Sequence, residues 1–192
     1  AAADTIATNT AVETLVKFTP KFFITTNSNV TKFKFDMSAR GRFFVDWGDG
    51  TTEIIDRATT ADTAYEHTYA SAGEYKIKLG GVATGYATDG ASAIRFENPT
   101  GPRAKKTADI VFISGSLGAI FPTIGDGSAP GTQPSFQRLF YKCSNMVGEE
   151  RGADVYGFPP ELMAGVHGAP IANMFKESFY GCTGMYDAGA DE

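Results

Sequence analysis

The stretch Val45–Thr51, with the sequence VDWGDGT, predicts a strand that runs into a tight turn. Side chains at positions 43–46 would alternate between the two faces of that strand. Gly48 and Gly50 flank Asp49 and tolerate the positive φ angles that a tight turn requires.

Two aromatic residues and a second strand extend this pattern. Trp47 is the only tryptophan of the chain and stands at the strand end, where a large ring can close one end of an apolar core. Residues 74–79 alternate between charged and apolar side chains, which predicts a half-exposed strand. Tyr69 lies just before a turn at Gly73, a placement typical of a tyrosine whose hydroxyl bonds back to the backbone at a sandwich corner.

The order of these residues resembles the PKD family of extracellular immunoglobulin-like domains. The matching frame is Trp-Gly-Asp-Gly-Thr followed by His-x-Tyr-x-x-x-Gly-x-Tyr-x-Ile, and it lies within residues 45–79. The resemblance implies an immunoglobulin-like β-sandwich in which the residues of the frame have structural roles. These residues are Trp47, Gly48, Asp49, Gly50, Tyr69, Gly73 and Tyr75.

Residues 1–17 are rich in Ala and Thr and precede two predicted strands, Phe18–Thr25 and Thr31–Met37. The second strand alternates aromatic and charged side chains, so its aromatic side chains should face the core and its charges the solvent. The leader has two interpretations. It is either a poorly ordered N-terminal segment or an extended donor segment that adds to a sheet edge of another copy.

The predicted boundary between two segments lies either at Asn98–Pro102, where turn-forming residues are concentrated, or at the basic residues Arg103, Lys105 and Lys106 that follow. The Gly-, Ala- and Thr-rich stretch at residues 82–95 predicts a loop with one strand at Ala93–Phe96. The sequence thus predicts a sandwich at residues 18–102 and a second segment at residues 103–192.

The second segment contains an internal repeat with the frame Phe-x-x-x-Phe-Tyr-x-Cys-Ser/Thr-x-Met. Its two copies, Phe136–Met146 and Phe175–Met185, are offset by 39 positions (175 minus 136). The spacing predicts a helix in each copy, with an apolar face that must be buried against a neighbouring unit. The residues on these faces are Phe136, Phe140, Cys143 and Met146, and Phe175, Phe179, Cys182 and Met185. A looser match relates Leu117–Pro122 to Val155–Pro160.

This frame resembles the BspA-type leucine-rich-like repeats of bacterial surface proteins, which stack into a solenoid. The resemblance implies a mainly β fold in which a short leucine-rich-like β/α repeat segment follows the immunoglobulin-like sandwich. An independent solenoid usually needs about three repeats, and two copies are visible here. We therefore expect either a fragment of a longer array or a last unit that packs against something else.

Composition narrows the class of protein. The chain has 17 basic and 22 acidic residues and no basic cluster, which argues against a nucleic-acid partner. No apolar run approaches the roughly 20 residues that span a bilayer. The start at Ala1-Ala2-Ala3 is compatible with signal-peptide cleavage, and together with the PKD resemblance it predicts a secreted or cell-surface protein. Two cysteines do not make a disulfide framework.

Asp46, Asp49 and Asp56 are the candidate calcium ligands, because carboxylates spaced along a turn suit that ion. The alternative is structural: Asp49 accepts backbone N–H bonds inside its turn, and Asp46 is a solvated strand residue. No Asp-x-Asp-x-Asp-Gly calcium loop is present, and the sequence predicts no cofactor.

Catalysis is not predicted. The two histidines, His67 and His167, lack the clustered ligands of a zinc site. Cys143 and Cys182 occupy the same repeat position, as core cysteines would, although either could be imagined as a nucleophile beside His167. Equivalent cysteines in adjacent units could also approach disulfide distance, but a free buried pair is expected.

Tyr86, Tyr156 and Tyr186 are the candidate ligand-binding residues because each falls in a Gly-rich loop. Aromatic side chains on loops can stack against sugars or anchor a protein partner, although they can equally pack over sheet edges. The sequence therefore predicts a non-enzymatic binding or adhesion module that recognises a protein or glycan. The alternative is a structural subunit of an extracellular filament or surface layer, assembled through its N-terminal segment.

Overall fold

The computed structural model describes residues 19–96, 109–150 and 156–185, and in these ranges the protein is mainly β. The strands are β1 (Pro20–Thr26), β2 (Val30–Met37), β3 (Arg40–Asp46), β4 (Thr52–Arg57), β5 (Thr63–Gly73), β6 (Lys76–Gly85), β7 (Ile94–Arg95), β8 (Ile110–Gly115), β9 (Glu149–Glu150) and β10 (Tyr156–Gly157).

Two antiparallel sheets form the body of the fold. The larger sheet has five strands in the order β4-β3-β6-β1-β8, and the smaller has three in the order β5-β2-β7. Strands β9 and β10 pair with each other in a short two-stranded sheet. The predicted strands near residues 18–25, 31–37 and 43–46 are confirmed with small shifts at their ends.

In strand β2 the aromatic side chains are buried as predicted, but one of the charged side chains is buried too. Phe33 and Phe35 are 3% and 0% exposed, as expected. Asp36 was expected to face solvent, but this prediction is wrong because the residue is only 5% exposed. Its carboxylate lies between the Lys34 ammonium, at 3.5 Å, and the Arg95 guanidinium, at 3.4 Å. Two cations thus compensate a carboxylate that would otherwise be costly to bury.

Strand β6 continues to Gly85, so the loop predicted from residue 82 begins later than expected. Its Gly-rich end pairs with β3, and the two backbones approach closely where Gly81 faces Phe43. A Cβ atom at Gly81 would lie 2.2 Å from the Arg42 carbonyl oxygen, and the φ angle there is +100°. Glycine is therefore required at this position of the strand pair. The Gly-rich composition of the segment had instead suggested a loop.

One apolar core runs between the sheets and across the predicted boundary. Strand β8 lies beyond that boundary, yet it pairs with β1 in the larger sheet, for example Ile113 with Ile24. The same buried cluster includes Trp47 and continues to Phe121 and Phe140. The boundary at residues 98–102 lies outside the described residues, but the segments on its two sides share one sheet and one core.

The two repeat copies are not helices, and this prediction is wrong. In the described ranges the only regular helical segment within them is a short 3-10 helix at Thr183–Met185, at the end of the second copy. Each copy is instead a succession of tight turns, with Arg138 and Lys142 at φ +58° and +60° and Glu177 at +57°. Left-handed residues at this spacing cannot continue an α-helix. The backbone instead bonds to the other copy.

No helix among the described residues is both long enough and apolar enough to cross a membrane.

Candidate functional site

The turn between β3 and β4 is built by the predicted residues. Trp47 N–H donates to the Thr51 carbonyl at 3.0 Å and closes the turn. Gly48 and Gly50 have φ angles of +85° and +91°. The Asp49 carboxylate accepts hydrogen bonds from the Thr51 N–H at 2.9 Å and from its hydroxyl at 2.6 Å. The predicted structural role of Asp49 is thereby confirmed.

Asp49 also lies against the neighbouring strand β5. Its second carboxylate oxygen is 2.8 Å from His67 Nε2, and the imidazole stacks on the Trp47 ring with 5.0 Å between centroids. The hydrogen bond from the Thr51 hydroxyl, with a smaller contribution from His67, lowers the pKa of Asp49 to about 2. This arrangement fixes the turn against the sheet edge.

Tyr69 confirms the predicted corner bond. Its hydroxyl donates to the Trp47 carbonyl at 2.9 Å, and the residue is 4% exposed. The Tyr75 ring stacks on it with 3.5 Å between centroids. Burial raises the pKa of Tyr69, so the phenol stays protonated and continues to donate.

The calcium candidates all have cationic or turn partners. Asp46 lies 2.7 Å from the Lys78 ammonium, and Asp56 lies 3.2 Å from the Arg42 guanidinium. Asp46 was expected to be solvated, but its side chain is only 20% exposed and also accepts the Gly48 N–H at 2.9 Å. Within residues 19–96, 109–150 and 156–185, no three histidine, cysteine or acidic side chains cluster as metal ligands would.

Tyr86 is not an exposed loop residue, and this prediction is wrong. The residue is 5% exposed, its hydroxyl donates to the Pro122 carbonyl at 2.6 Å, and its N–H donates to the Gly131 carbonyl at 2.9 Å. The loop folds back against the segment after β8, which covers the ring. The side chain of Tyr156 and all of Tyr186 lie outside what the structure describes.

The two repeat copies lie side by side in register. Equivalent aromatic rings stack, with 5.7 Å between the centroids of Phe136 and Phe175 and 5.2 Å between those of Tyr141 and Tyr180. Hydrogen bonds at every second residue join the backbones. They run from the N–H groups of Phe136, Arg138, Phe140 and Lys142 to the carbonyls of Met174, Lys176, Ser178 and Tyr180, at 2.7, 2.9, 2.7 and 2.6 Å.

The first segment of the looser repeat match, Leu117–Pro122, bonds to residues that follow the second segment. Gly118 N–H donates to the Leu162 carbonyl at 2.9 Å, and Thr123 N–H donates to the Gly165 carbonyl at 3.0 Å. The segment at 117–122 therefore lies against residues 162–165 rather than against the strand before Pro160.

The outer face of the repeat carries a group of side chains that sequence reasoning did not single out. We call Arg138, Tyr141, Glu177 and Tyr180 the tyrosine surface. Tyr180 is 61% exposed, although its ring is stacked at 16° on that of Tyr141. The Arg138 guanidinium lies 4.1 Å from the centroid of the Tyr141 ring and 3.4 Å from the Glu177 carboxylate. A signal was present in the sequence, because both tyrosines occupy the same position of the frame.

This surface can bind by stacking and by charge. An exposed tyrosine presents an apolar ring and a hydroxyl, which suits the face of a sugar or an anchor position in a protein interface. The Lys142 ammonium, 5.3 Å from the Tyr141 centroid, adds a second cation beside Arg138. The stack already fixes the rings, so a ligand would have little side-chain entropy to restrict.

The cysteines remain free thiols in this structure. Cys143 is fully buried, and the Cys182 thiol donates to the Phe140 carbonyl at 3.0 Å. Burial raises the pKa of Cys182 to about 11, although a backbone hydrogen bond at Cys143 acts in the opposite direction. At neutral pH this group is a thiol rather than a nucleophilic thiolate.

Comparisons of the chain with protein-family models, with curated proteins and with solved structures found no match.

Proposed function

We propose that the protein is a non-enzymatic binding or adhesion module, secreted or displayed on a bacterial cell surface, and that the tyrosine surface is where it binds. The observation that carries this proposal is the 61% exposure of Tyr180 on a ring stack that holds it in place. Interface hot spots are enriched in tyrosine, whose ring anchors the partner.

The resemblances stated above support the extracellular setting. Residues 45–79 resemble a PKD-type immunoglobulin-like domain, and the repeat frame resembles that of leucine-rich-like bacterial surface proteins. The mainly β fold with two antiparallel sheets is compatible with such a sandwich. A fold by itself does not specify a function, so the argument rests on the surface chemistry.

The chemistry of the described residues favours binding over catalysis. The carboxylates of the calcium candidates are paired with basic side chains. Asp46 lies against Lys78, Asp49 against His67, and Asp56 against Arg42. The Cys182 thiol has a raised pKa, and the His167 side chain lies in an exposed loop. The stacked pair of Tyr141 and the exposed Tyr180, with its adjacent cations, is the surface suited to recognition.

The test is a binding screen of the intact chain against immobilised polysaccharides and against immobilised extracellular proteins. We expect saturable binding to at least one of these classes, and competition by the same ligand in solution. The proposal would be contradicted if none of the surfaces shows saturable binding that the same ligand in solution competes away. The two panels also decide between a glycan and a protein ligand.

A structural subunit of an extracellular filament or surface layer is the second candidate. Strand β4 is at the end of the larger sheet and pairs only with β3 among the described strands, and Ile54 on it is 51% exposed. An open edge of this kind can receive an added strand. The proposed donor, residues 1–17, lies outside the described residues. Filaments seen by negative-stain microscopy that vanish on deletion of residues 1–17 would establish this candidate.

A further inference from the structure

The two repeat copies have the same frame but differ in how well they are covered. Phe136 and Phe140 of the first copy are 0% exposed, because the second copy lies over them. At the equivalent position in the second copy, Phe175 is 43% exposed. Phe179 is partly exposed, as are Cys182 and Met185 around it. The second copy therefore presents the kind of surface that the first copy buries.

Backbone hydrogen bonds give the stack a direction. The N–H groups of Ala93 and Phe96, from the sandwich, donate to the Ser135 and Leu139 carbonyls at 2.7 and 2.8 Å. The first copy then donates from its other side to the carbonyls of the second copy, as described above. The first copy thus accepts on one side and donates on the other.

Among the described residues the second copy is the last layer of this series, and it presents a row of donors. By the 39-position offset, its outward N–H groups are those of Phe175, Glu177, Phe179 and Gly181, which we call the donor edge. None of the described residues accepts a hydrogen bond from these four groups. Rows of free backbone donors at two-residue spacing are what an added segment pairs with.

Apolar side chains lie beside the donor edge. An open groove is lined by Phe158, Phe179, Cys182 and Met185, together with Gly181 and Thr183. Phe158 is 42% exposed and meets the Phe179 ring edge-on, with 4.5 Å between centroids. The donor edge and this groove together offer both the hydrogen bonds and the apolar contacts that join the first copy to the second.

The same directionality decides what can bind there. A second molecule of this chain could continue the stack only by presenting the carbonyl side of its own first copy. Two carbonyls on that side, those of Ser135 and Leu139, already accept from Ala93 and Phe96. The occupant must instead have free carbonyls at two-residue spacing and aromatic side chains at the matching positions.

We propose that the donor edge binds a further unit of the same Phe-x-x-x-Phe-Tyr-x-Cys repeat, stacked on the second copy as the second is stacked on the first. The incoming carbonyls accept from Phe175, Glu177, Phe179 and Gly181, and the incoming aromatic rings cover Phe175 and Phe179. This inference does not depend on the ligand-binding role proposed for the tyrosine surface.

The test extends the intact chain by a duplicate of residues 154–192 appended after Glu192, which keeps the 39-position spacing. A matched control carries Phe175→Ser and Phe179→Ser in the appended duplicate only. Amide hydrogen exchange is measured at the donor edge, with the Phe140 amide as an internal reference for an intact fold.

We expect exchange at the four donor-edge amides to slow by about tenfold or more in the extended chain relative to the control. Alkylation of Cys182 should slow in parallel. Equal exchange in the two extended proteins, with the Phe140 amide protected in both, would overturn the proposal. Concentration-dependent protection of the same amides in the unextended chain would overturn the choice of occupant, since it would show that a second molecule binds there.

Discussion

The rings of Tyr141 and Tyr180 stack with 5.2 Å between centroids although the residues are 39 positions apart (180 minus 141). The Lys142 N–H fixes this pairing by donating to the Tyr180 carbonyl at 2.6 Å. Backbone pairing therefore sets the geometry of an exposed aromatic pair, rather than packing within a core. Recognition through such a pair costs little reorganisation, because the rings are ordered before a ligand arrives.

Replacement of Tyr69 by phenylalanine should destabilise the sandwich. Tyr69→Phe leaves the Trp47 carbonyl without its 2.9 Å donor in a buried site, and we expect a loss of about 1–3 kcal/mol in the free energy of unfolding. Urea denaturation measures this change. Tyr75→Phe is the control, because its hydroxyl donates to Ser71 at an exposed position. Equal losses in the two variants would contradict the role given to Tyr69.

Protonation of Asp49 should weaken the fold at acid pH. Its pKa is lowered from the usual 3.8 to about 2 by the Thr51 and His67 contacts. The stabilisation is therefore fully present above pH 4 and is lost as the pH falls towards 2. Asp49→Asn cannot titrate, so its stability deficit relative to the wild type should shrink between pH 5 and pH 2. Thermal unfolding over that pH range measures the difference, and a constant deficit would refute the assignment.

The two equivalent phenylalanines of the repeat should differ in their contribution to stability. Phe140 is fully buried and its ring stacks on that of Phe96, 5.3 Å between centroids, so Phe140→Ala should cost about 3–5 kcal/mol. Phe179 is only partly covered, and Phe179→Ala should cost about half as much.

Chemical denaturation followed by tryptophan fluorescence tests this contrast, since Trp47 reports from the shared core. If Phe140→Ala leaves the denaturation midpoint reported by Trp47 fluorescence unchanged, the repeat and the sandwich do not unfold together.

Cys182 should react slowly with alkylating agents despite its partial exposure. Burial raises its pKa to about 11, so little thiolate is present near pH 7. The rate of iodoacetamide labelling at this residue, followed by mass spectrometry in the folded protein, should remain well below that of a free cysteine peptide at pH 7 to 8. A rate equal to that of the peptide would mean that the thiol is neither buried nor bonded to Phe140.

Local residue patterns predicted the sandwich part of the fold well. The alternation in β2 and β3 and the turn chemistry around Asp49 depend on neighbours within a few positions, and the Tyr69 bond to Trp47 follows from that frame. These features could be read from the sequence because the interactions that decide them involve adjacent residues and a recurrent corner geometry.

The features that could not be predicted from the sequence depend on contacts between residues far apart in the chain. The spacing of Phe, Phe and Cys in the repeat fits a series of turns as well as it fits a helix. The choice between them depends on hydrogen bonds such as that from the Phe140 N–H to the Ser178 carbonyl in the other copy. Tyr86 was predicted to be exposed because its neighbours are Gly-rich, whereas residues more than 30 positions away, among them Pro122, cover it. The tyrosine surface was missed for the same reason, since Tyr141 and Tyr180 meet only after the copies stack.

The most direct test of the proposed function is the binding of three proteins to the surfaces used in the screen: the wild type, Tyr180→Ala and Ile54→Ala. Ile54 is the matched control, because it is an apolar side chain 51% exposed on β4, in the sandwich rather than the repeat. We expect Tyr180→Ala to weaken binding by about tenfold or more, as the loss of an aromatic anchor does, and Ile54→Ala to bind like the wild type. Wild-type affinity in Tyr180→Ala, with its fold intact by circular dichroism, would contradict the assignment of the tyrosine surface as the binding site.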